Sequence, residues 1–471
     1  MTPLFTMASR RAAHERGAAF SAASWWRDTK LRATARFAGR LASSIALSEV
    51  VGQALLIKAC LPMLSRAQRL DVLLTCGRRT RLRWSRWLLG RMLRPYLMGP
   101  ATNVCRQKKV GWARYYGDVG RIGSERALTT SVVLKAPKPD GEKGVLYCSF
   151  EYNWLRLVAH YDAAAVLDEY YLVGASSWSP IDFAPIAAFS GLSKDPIFVG
   201  VSNLADVEQL AVMQPVAIPL AIMASDWTNP DYYAPKPRRD RRIDILMVAN
   251  WSRFKRHWLL FEALKRMPRN LRVVLVGRNA PGRTSKEIHE EARTFGVKQD
   301  LELYTNLEID EVTALQCDAR ISVLFSNREG SCVATAESLF ASTPVAMAKD
   351  SHVGSKAYIN TETGVLVSRA GLAKSLERFL EESDQYTPRR WALENITCRK
   401  ATDRLNSVLK DWALRTGRPW TEPIAQLCWR YVPTHVNAGD ELRLQPAVEN
   451  LRDKHGVVIQ KFLGERASMK R

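Results

Sequence analysis

The sequence predicts an α/β protein with two successive units of mainly parallel sheet, preceded by a basic and mainly helical segment. Short apolar runs alternate with helical periodicity over residues 144–220 and again, more regularly, over residues 243–348. A polar stretch at residues 236–242, with prolines just before it, separates the two alternations and indicates an interdomain linker.

Positive charge is concentrated at one end of the chain. Residues 1–140 hold 26 basic and 7 acidic side chains, whereas the other 331 residues hold 43 and 40.

The length of 471 residues and the hydrophobic fraction of 46% fit a globular protein of at least two domains. The patterns divide the chain into a basic helical segment (1–140), a first α/β domain (141–235, to which part of 100–140 can belong), a second α/β domain (236–390) and a helical tail that packs back on the body (391–471). Because most of the chain is nearly neutral, the composition argues against nucleic acid as a partner.

The first 30 residues contain four arginines but no apolar core, which argues against a secretory signal and for a cytoplasmic protein. The eight cysteines never form a C-x-x-C pair or a zinc-ligand spacing, so we expect reduced and mostly buried thiols.

The most apolar stretch, Leu41–Leu64, is interrupted by Glu49 and Lys58. Each of these charges costs about 3 kcal/mol at the centre of a bilayer, and we therefore expect no spanning helix.

The stretch Leu73–Leu97 mixes arginine with tryptophan and leucine, and three interpretations stay open. A helix of this composition suits the headgroup region of an anionic membrane, where each basic residue contributes about 1 kcal/mol. It equally suits a helix that packs on its neighbour and exposes an arginine face to solvent. An RNA-binding tail is the third and least supported.

The periodicity places each element in order. In the first domain it predicts strands at Val145–Phe150, Tyr170–Val173, Ile197–Val201 and Val216–Leu220, with a helix at Trp154–Leu167. In the second domain it predicts strands at Ile243–Ala249, Leu271–Val276, Leu301–Tyr304, Ile321–Phe325 and Pro344–Ala348. The helices between them are expected at Trp258–Arg266, Ser285–Phe295, Ile309–Cys317 and Thr335–Ala341. Four βα steps of this spacing predict a doubly wound sheet.

The segment after the strand Ile321–Phe325 is the first place to look for chemistry, because ligands of open parallel sheets bind beyond the carboxyl ends of the strands. Gly330 and Ser331 are expected to open a helix there, and their amides could hold a phosphate. Glu329 precedes them and Glu337 lies within the helix, so two carboxylates flank one turn.

This arrangement resembles the E-x7-E signature of the family 4 glycosyltransferases. Three further segments are similar to that family. Residues 248–257 resemble its strand-to-helix turn, in which Lys255 matches the family's lysine and Asn250 stands where an arginine is usual. Either Arg253 or Arg256 is then expected to supply the second cation. Val274–Gly277 matches the strand and glycine near the nucleotide base, and Thr363–Val367 matches a Thr-Gly-x-Leu-Val strand.

The resemblance implies two Rossmann-like domains facing across a cleft (a GT-B-like fold), with the donor in the second domain and the acceptor in the first. It implies that Glu329 contacts the transferred sugar, that Glu337 contacts the ribose of a UDP-, GDP- or ADP-sugar, and that Lys255 faces the diphosphate. Gly277, Asn250 and Arg253 would then complete the donor site. The chain contains no Asp-x-Asp pair, so we expect no metal requirement, with protein groups stabilising the leaving group. Retention at the anomeric carbon is also implied.

Other candidates are weaker. His160 could polarise a hydroxyl of the acceptor or the sugar, although a structural histidine is the more common finding. Gly354 and Ser355 fall where the family often has a glycine loop near the sugar.

These patterns lead to the hypothesis of a retaining glycosyltransferase of polysaccharide or glycolipid synthesis, acting on a glycan or lipid-linked acceptor. It would be cytoplasmic or peripheral on the inner face of the cell membrane, with residues 1–140 as the membrane contact. Two alternatives remain. One is a sugar phosphorylase or nucleotide-sugar epimerase on the same fold, and the other is a catalytically decayed subunit that is recruited to membrane.

Overall fold

The computed structural model describes residues 45–98, 103–116, 122, 125–430 and 432–460. The expectation of a missing secretory signal in residues 1–30 lies outside the described residues. Among the described residues, no helix combines the length and apolar character that crossing a bilayer requires.

Among the described residues, five helices precede the first sheet. They are α1 (Ile45–Ala59), α2 (Arg66–Gly77), α3 (Arg83–Leu97), α4 (Val104–Lys108) and α5 (Ala113–Tyr116). The side chain of Ser65 caps α2 by accepting a hydrogen bond from the amide of Gln68, which fixes where that helix begins.

The first domain contains a five-stranded sheet with the order β1-β2-β3-β4-β5. Its elements are β1 (Ser131–Lys135), β2 (Gly144–Ser149), α6 (Glu151–His160), α7 (Ala163–Glu169), β3 (Tyr170–Ala175), α8 (Phe183–Ala187), β4 (Ile197–Gly200), α9 (Asp206–Leu210) and β5 (Ala217–Leu220). Strand β1 is antiparallel to β2, and the other neighbours are parallel.

The second domain contains a six-stranded parallel sheet with the order β11-β10-β9-β6-β7-β8. Its elements are β6 (Ile243–Val248), α10 (His257–Leu264), β7 (Arg272–Gly277), α11 (Ser285–Phe295), β8 (Asp300–Thr305), α12 (Ile309–Cys317), β9 (Ala319–Leu324), α13 (Val333–Phe340), β10 (Val345–Ala348), β11 (Gly364–Val367), α14 (Leu372–Glu381) and α15 (Pro388–Asn395). The chain runs outward from β6 in one direction and from β9 in the other, so the order reverses between these two strands. The predicted fold class, with two Rossmann-like domains after a helical segment, is confirmed.

The tail returns to the first domain. It consists of α16 (Cys398–Arg415), a hairpin of β12 (Leu427–Arg430) and β13 (Val432–His435), and α17 (Ala438–His455). One face of the first sheet packs against Leu405 and Leu409 of α16, and the other shares a core with helices α1 to α3. A sheet covered on both faces explains the continuous burial of β2.

Strand β1 lies within residues 100–140, part of which the sequence analysis allows to belong to the first domain. The structure differs from the expected elements in the tail, which contains a hairpin whose four-residue strands are too short to give a periodic signal. The single helix expected at Trp154–Leu167 is divided into α6 and α7, because Asp162 caps a new helix by accepting a hydrogen bond from the amide of Ala165 at 3.1 Å.

Candidate functional site

The loops after β6 and β9 emerge side by side at the carboxyl edge of the second sheet. The two strands pair in parallel through Ile245 and Ile321, so residues 249–256 and residues 325–332 leave the sheet at the same edge. This is the point where the strand order reverses, which is the usual ligand-binding position of an open α/β sheet.

Lys255 and Glu329, one from each loop, form an ion pair between Nζ and Oε2. Both residues are 8% exposed, so the pair is shielded from solvent. Burial alone would lower the pKa of Lys255, but the neighbouring Cys332 and Glu329 act in the opposite direction and hold that pKa above its ordinary value. The second oxygen of Glu329, Oε1, is buried and accepts no hydrogen bond from the described residues. It is therefore available to a ligand hydroxyl.

A left-handed residue gives the first loop its shape. Arg256 has φ = 56° and ends the short turn that buries Lys255. Its guanidinium group donates to Asp350 at 2.8 and 2.9 Å and to the carbonyl oxygens of Phe325 and Ser326. Arg256 therefore ties the two loops together and is not free to serve as a second cation for a diphosphate.

A cavity of about 210 Å³ opens beside this pair. Four of the expected site residues line it: Asn250, Lys255, Gly277 and Glu337. The remaining wall is formed by Val248, Ala249, Val276, Arg278, Leu307, Ile309, Val312, Thr313 and Gln316. The cavity thus joins two cationic side chains, Lys255 and Arg278, with one carboxylate and an apolar wall, which is a lining suited to a nucleotide.

Glu337 reaches the cavity from α13. Its Oε2 accepts a hydrogen bond from Nε2 of Gln316 at 3.2 Å. Burial raises the pKa of Glu337, and the opposing contributions of Gln316 and of Arg430 are smaller. An acidic side chain that a protein buries with so little compensation is a common property of functional sites.

Gly277 ends β7 at a close approach of the backbone. A Cβ at this position would lie 2.5 Å from the carbonyl oxygen of Ala249 and 2.8 Å from the ring of Trp251. Only glycine fits here without displacing the loop that carries Lys255.

The helix after β9 starts at Val333, two residues before the expected Thr335. The first N–H groups at its amino terminus therefore belong to Val333 and Ala334, and Gly330 and Ser331, which were expected to open this helix, precede it. Both of those residues instead face the first domain. A Cβ on Gly330 would lie 2.4 Å from the carbonyl oxygen of Ser177, and Oγ of Ser331 accepts a hydrogen bond from the amide of Ser225 at 3.0 Å.

Gly354 and Ser355 belong to the same interdomain contact. The amide of Gly354 donates to the carbonyl oxygen of Gly330 at 2.8 Å, and the amide of Ser355 donates to that of Ser331 at 3.0 Å. A Cβ on Gly354 would lie 1.9 Å from the carbonyl oxygen of Ser202 in the first domain. Small residues at these four positions let the second domain close on the first beside Glu329.

Asn250 and Arg253 are exposed on the loop after β6. Oδ1 of Asn250 accepts a hydrogen bond from the amide of Ser252 at 3.2 Å, so its side chain shapes the loop as well as lining the cavity.

His160, which was a candidate for polarising a hydroxyl, lies away from this site. It ends α6, whose first residue, Glu151, contacts the cleft through Ser177. Glu151 and His160 are nine positions apart along this helix, which corresponds to about 13 Å at 1.5 Å per residue. The ring of His160 instead contacts the carbonyl oxygen of Ile122, which is the structural role common for a histidine.

The structure adds site residues that the sequence analysis missed. Arg278 and Gln316 line the cavity, and Arg328 binds the carbonyl oxygen of Ser179 in the first domain at 2.7 Å through its Nε. The one sequence signal that could have identified Arg278 is its position directly after Gly277.

A family model and several solved structures are similar to this chain. Residues 230–394 match the family model for glycosyl transferases group 1. Similar solved structures include HepE of Anabaena in complex with UDP, which is 14% identical with a TM-score of 0.46 over 57% of this chain and 78% of that chain. They also include sucrose-phosphate synthase from Thermosynechococcus elongatus, which is 13% identical with a TM-score of 0.45 over 71% and 81%.

No curated protein matches the chain. The match over residues 230–394 includes both glutamates of the E-x7-E motif, Lys255 and Gly277. The resemblance to glycosyltransferases is therefore confirmed over residues 230–394, which match the model of the glycosyl transferases group 1 family.

Proposed function

We propose that the chain is a retaining glycosyltransferase that moves a sugar from a nucleotide-diphosphate donor to a glycan or lipid-linked acceptor. One observation carries the proposal: four residues expected from the motifs converge on one cavity at the switch point of the second sheet, next to the Lys255–Glu329 pair. The family match over the same residues supports it.

The side chains present fit such a donor. The carboxylate of Glu337 can accept hydrogen bonds from both ribose hydroxyls, and the apolar wall of the cavity can cover the base. Lys255 and the N–H groups of Val333 and Ala334 offer positive charge to a diphosphate. Oε1 of Glu329 can accept a hydrogen bond from a hydroxyl of the transferred sugar.

The chemistry then rests on stabilising the leaving group. As the bond between sugar and diphosphate breaks, negative charge gathers on the phosphate oxygens, and a fixed cation with helix amides lowers the barrier. The interdomain contact at Gly330 and Gly354 keeps bulk water from this side of the site, which suppresses hydrolysis of the donor. Attack of the acceptor hydroxyl on the face that the diphosphate leaves gives retention.

A thermal-shift screen with UDP, GDP and ADP tests the donor site. A nucleotide at 100 times its dissociation constant stabilises the folded chain by about 2.7 kcal/mol. A product assay with the matching nucleotide sugar then separates transfer from phosphorolysis and from epimerisation of the donor. A chain that binds none of the three nucleotides is the decayed subunit of the alternative hypothesis.

We extend the proposal to a peripheral location at an anionic membrane and to polysaccharide or glycolipid synthesis. The support is helix α3, which buries Leu89 and Leu93 while Trp84 and Trp87 are 53% and 61% exposed. Exposed arginines alternate with these rings, so the face combines apolar and basic groups.

A further inference from the structure

The loop between α2 and α3 brings three arginines of the basic segment, Arg78, Arg79 and Arg81, to the first domain. Gly77, just before them, packs on Phe183, where a Cβ would lie 2.2 Å from the ring. The backbone of the loop is held from three sides. Ser48 donates to the carbonyl oxygen of Arg79 at 2.9 Å, Gln209 donates to that of Thr80 at 3.1 Å, and the carboxylate of Glu49 accepts from the amide of Leu82 at 2.9 Å.

The loop is therefore fixed through its backbone, and its arginine side chains are not needed to hold it. Among the described residues, the guanidinium groups of Arg78, Arg79 and Arg81 have neither a hydrogen bond nor an ion pair. Positive charge that is positioned by a rigid loop but given no protein partner is a ready site for an anion.

A fourth arginine approaches from the second domain. Arg328 precedes Glu329 and is anchored through Nε on Ser179, while its Nη2 is buried without a partner among the described residues. Ser179, which Arg328 contacts, lies four residues before Phe183, on which Gly77 packs, so the loop and Arg328 meet at the same part of the first domain. Burial, and after it the charges of Arg78, Arg79 and Arg81, lower the pKa of Arg328 to about 10.

Carboxylates nearby do not balance this charge. Asp182 is already paired with Arg114 at 2.5 Å and accepts a hydrogen bond from the hydroxyl of Tyr115 at 2.9 Å. Asp206 is buried, and burial raises its pKa to about 6 in spite of Arg81 and Arg328. Glu49, the other carboxylate that acts on Arg81, already accepts hydrogen bonds from the amides of Arg81 and Leu82. Among the described residues, none of these three carboxylates forms an ion pair with the four guanidinium groups.

We propose that Arg78, Arg79, Arg81 and Arg328 bind a phosphate group of the acceptor. This inference rests on the proposed function, because it places the phosphate next to Glu329, where the sugar would be transferred. Guanidinium groups bind phosphate through paired N–H donors, and four of them suit a diphosphate or a phosphodiester. The basic segment would thus select an anionic acceptor as well as meet a membrane.

The test is a calorimetric titration of inorganic pyrophosphate into the full chain. It is done with and without a saturating concentration of whichever nucleoside diphosphate gives the largest thermal shift, so that the donor site is filled. We expect pyrophosphate to bind the nucleotide-saturated protein, and the double variant Arg78→Gln/Arg79→Gln to bind it at least tenfold more weakly. Arg94→Gln, an exposed arginine of the same segment that does not act on Arg328, is the matched control and should leave the affinity unchanged.

Two results overturn the inference: pyrophosphate does not bind the nucleotide-saturated chain, or the double variant binds it as well as the wild type. Nucleotide affinity should be the same in all three proteins. If no nucleotide binds, the proposed function fails, and the titration without nucleotide still decides the arginine site. Vesicles with and without phosphatidylglycerol identify the source of the phosphate. Weaker vesicle binding by the double variant indicates a lipid phosphate, and unchanged binding indicates a water-soluble one.

Discussion

Lys255 and Glu329 are 74 residues apart in the sequence and form a buried ion pair between the loops that follow two adjacent parallel strands. Each group neutralises the other before any ligand arrives, so neither charge is buried without a partner, which would destabilise the fold. A donor that entered the cavity would share Lys255 with Glu329 and could use the unpaired oxygen of the carboxylate.

Replacing either member should reduce sugar transfer strongly. We expect Lys255→Ala and Glu329→Gln each to lower kcat about 10²- to 10³-fold, the loss typical when one group that stabilises a transition-state charge is removed. Lys255→Ala also leaves a buried carboxylate unpaired, so it should lower the free energy of unfolding by about 3–5 kcal/mol, whereas Glu329→Gln keeps an acceptor for Lys255. Turnover and thermal melts measure both effects, with exposed Lys265→Ala as the control. Near-normal turnover in a folded Glu329→Gln variant would refute its role.

Removing the charge of Glu337 should stabilise the folded chain and weaken nucleotide binding. Burial raises its pKa in the folded chain, so the folded state holds the proton more tightly than the unfolded state does. The stabilisation that results is present at low pH and is lost as pH rises through the folded-state pKa. Glu337→Gln removes this ionisation, and we expect its Tm to exceed that of the wild type by a few degrees at pH 7.5, with a smaller gain near pH 4.

The same variant should bind nucleotide at least tenfold more weakly at neutral pH, because an amide accepts only one of the two ribose hydrogen bonds well. Wild-type affinity should fall as pH drops through the raised pKa of Glu337, and the variant should lack this component of the pH dependence. Calorimetry of both proteins at each pH separates this effect from ionisation of the nucleotide's own phosphate, because that ionisation is the same for both proteins. Exposed Glu290→Gln on α11 is the control. Unchanged affinity in Glu337→Gln would remove the residue from the donor site.

Much of the second domain could be predicted because its local signals agree with its tertiary structure. The helix bounds of α11 and α12 match the expected ones, since a capping box at Thr284 and Glu287 starts the first and Gly296 in the left-handed conformation ends it. Asn250, Lys255 and Gly277 could be found because each ends or follows a strand of one sheet, and such positions meet at one edge.

Other features depend on long-range packing that no local pattern encodes. Gly330 and Ser331 have the composition of an anion-binding turn, and their contact with the first domain depends on how two folded units meet. Arg78 and Arg328 are 250 positions apart, so their proximity could not be inferred from spacing. His160 was chosen by residue type, and the length of α6 places it away from the cleft.

The interdomain contact predicts a specific effect at Gly330. Gly330→Ala puts a methyl group 2.4 Å from the carbonyl oxygen of Ser177, which forces the two domains apart at this point. We expect kcat to fall at least tenfold, while nucleotide affinity stays within about twofold because the cavity lies wholly in the second domain. Gly439→Ala, where a Cβ has no neighbour within 4 Å, is the matched control. Equal losses of kcat and nucleotide affinity would mean that Gly330 contacts the donor instead.

The exposed face of α3 predicts membrane binding that depends on its two tryptophans. Arg91 stacks over the ring of Trp87 at 5.1 Å, so the apolar ring and the basic group are presented together. Burial of even 60 Å² of each ring is worth about 1.5 kcal/mol, and we expect Trp84→Ser/Trp87→Ser to bind phosphatidylglycerol vesicles at least tenfold more weakly. Co-sedimentation measures this, with Leu442→Ser, 78% exposed on α17, as the control. Added salt should weaken wild-type binding, since the arginines act through charge. If both variants bind like the wild type, the exposed tryptophans serve a purpose other than membrane contact.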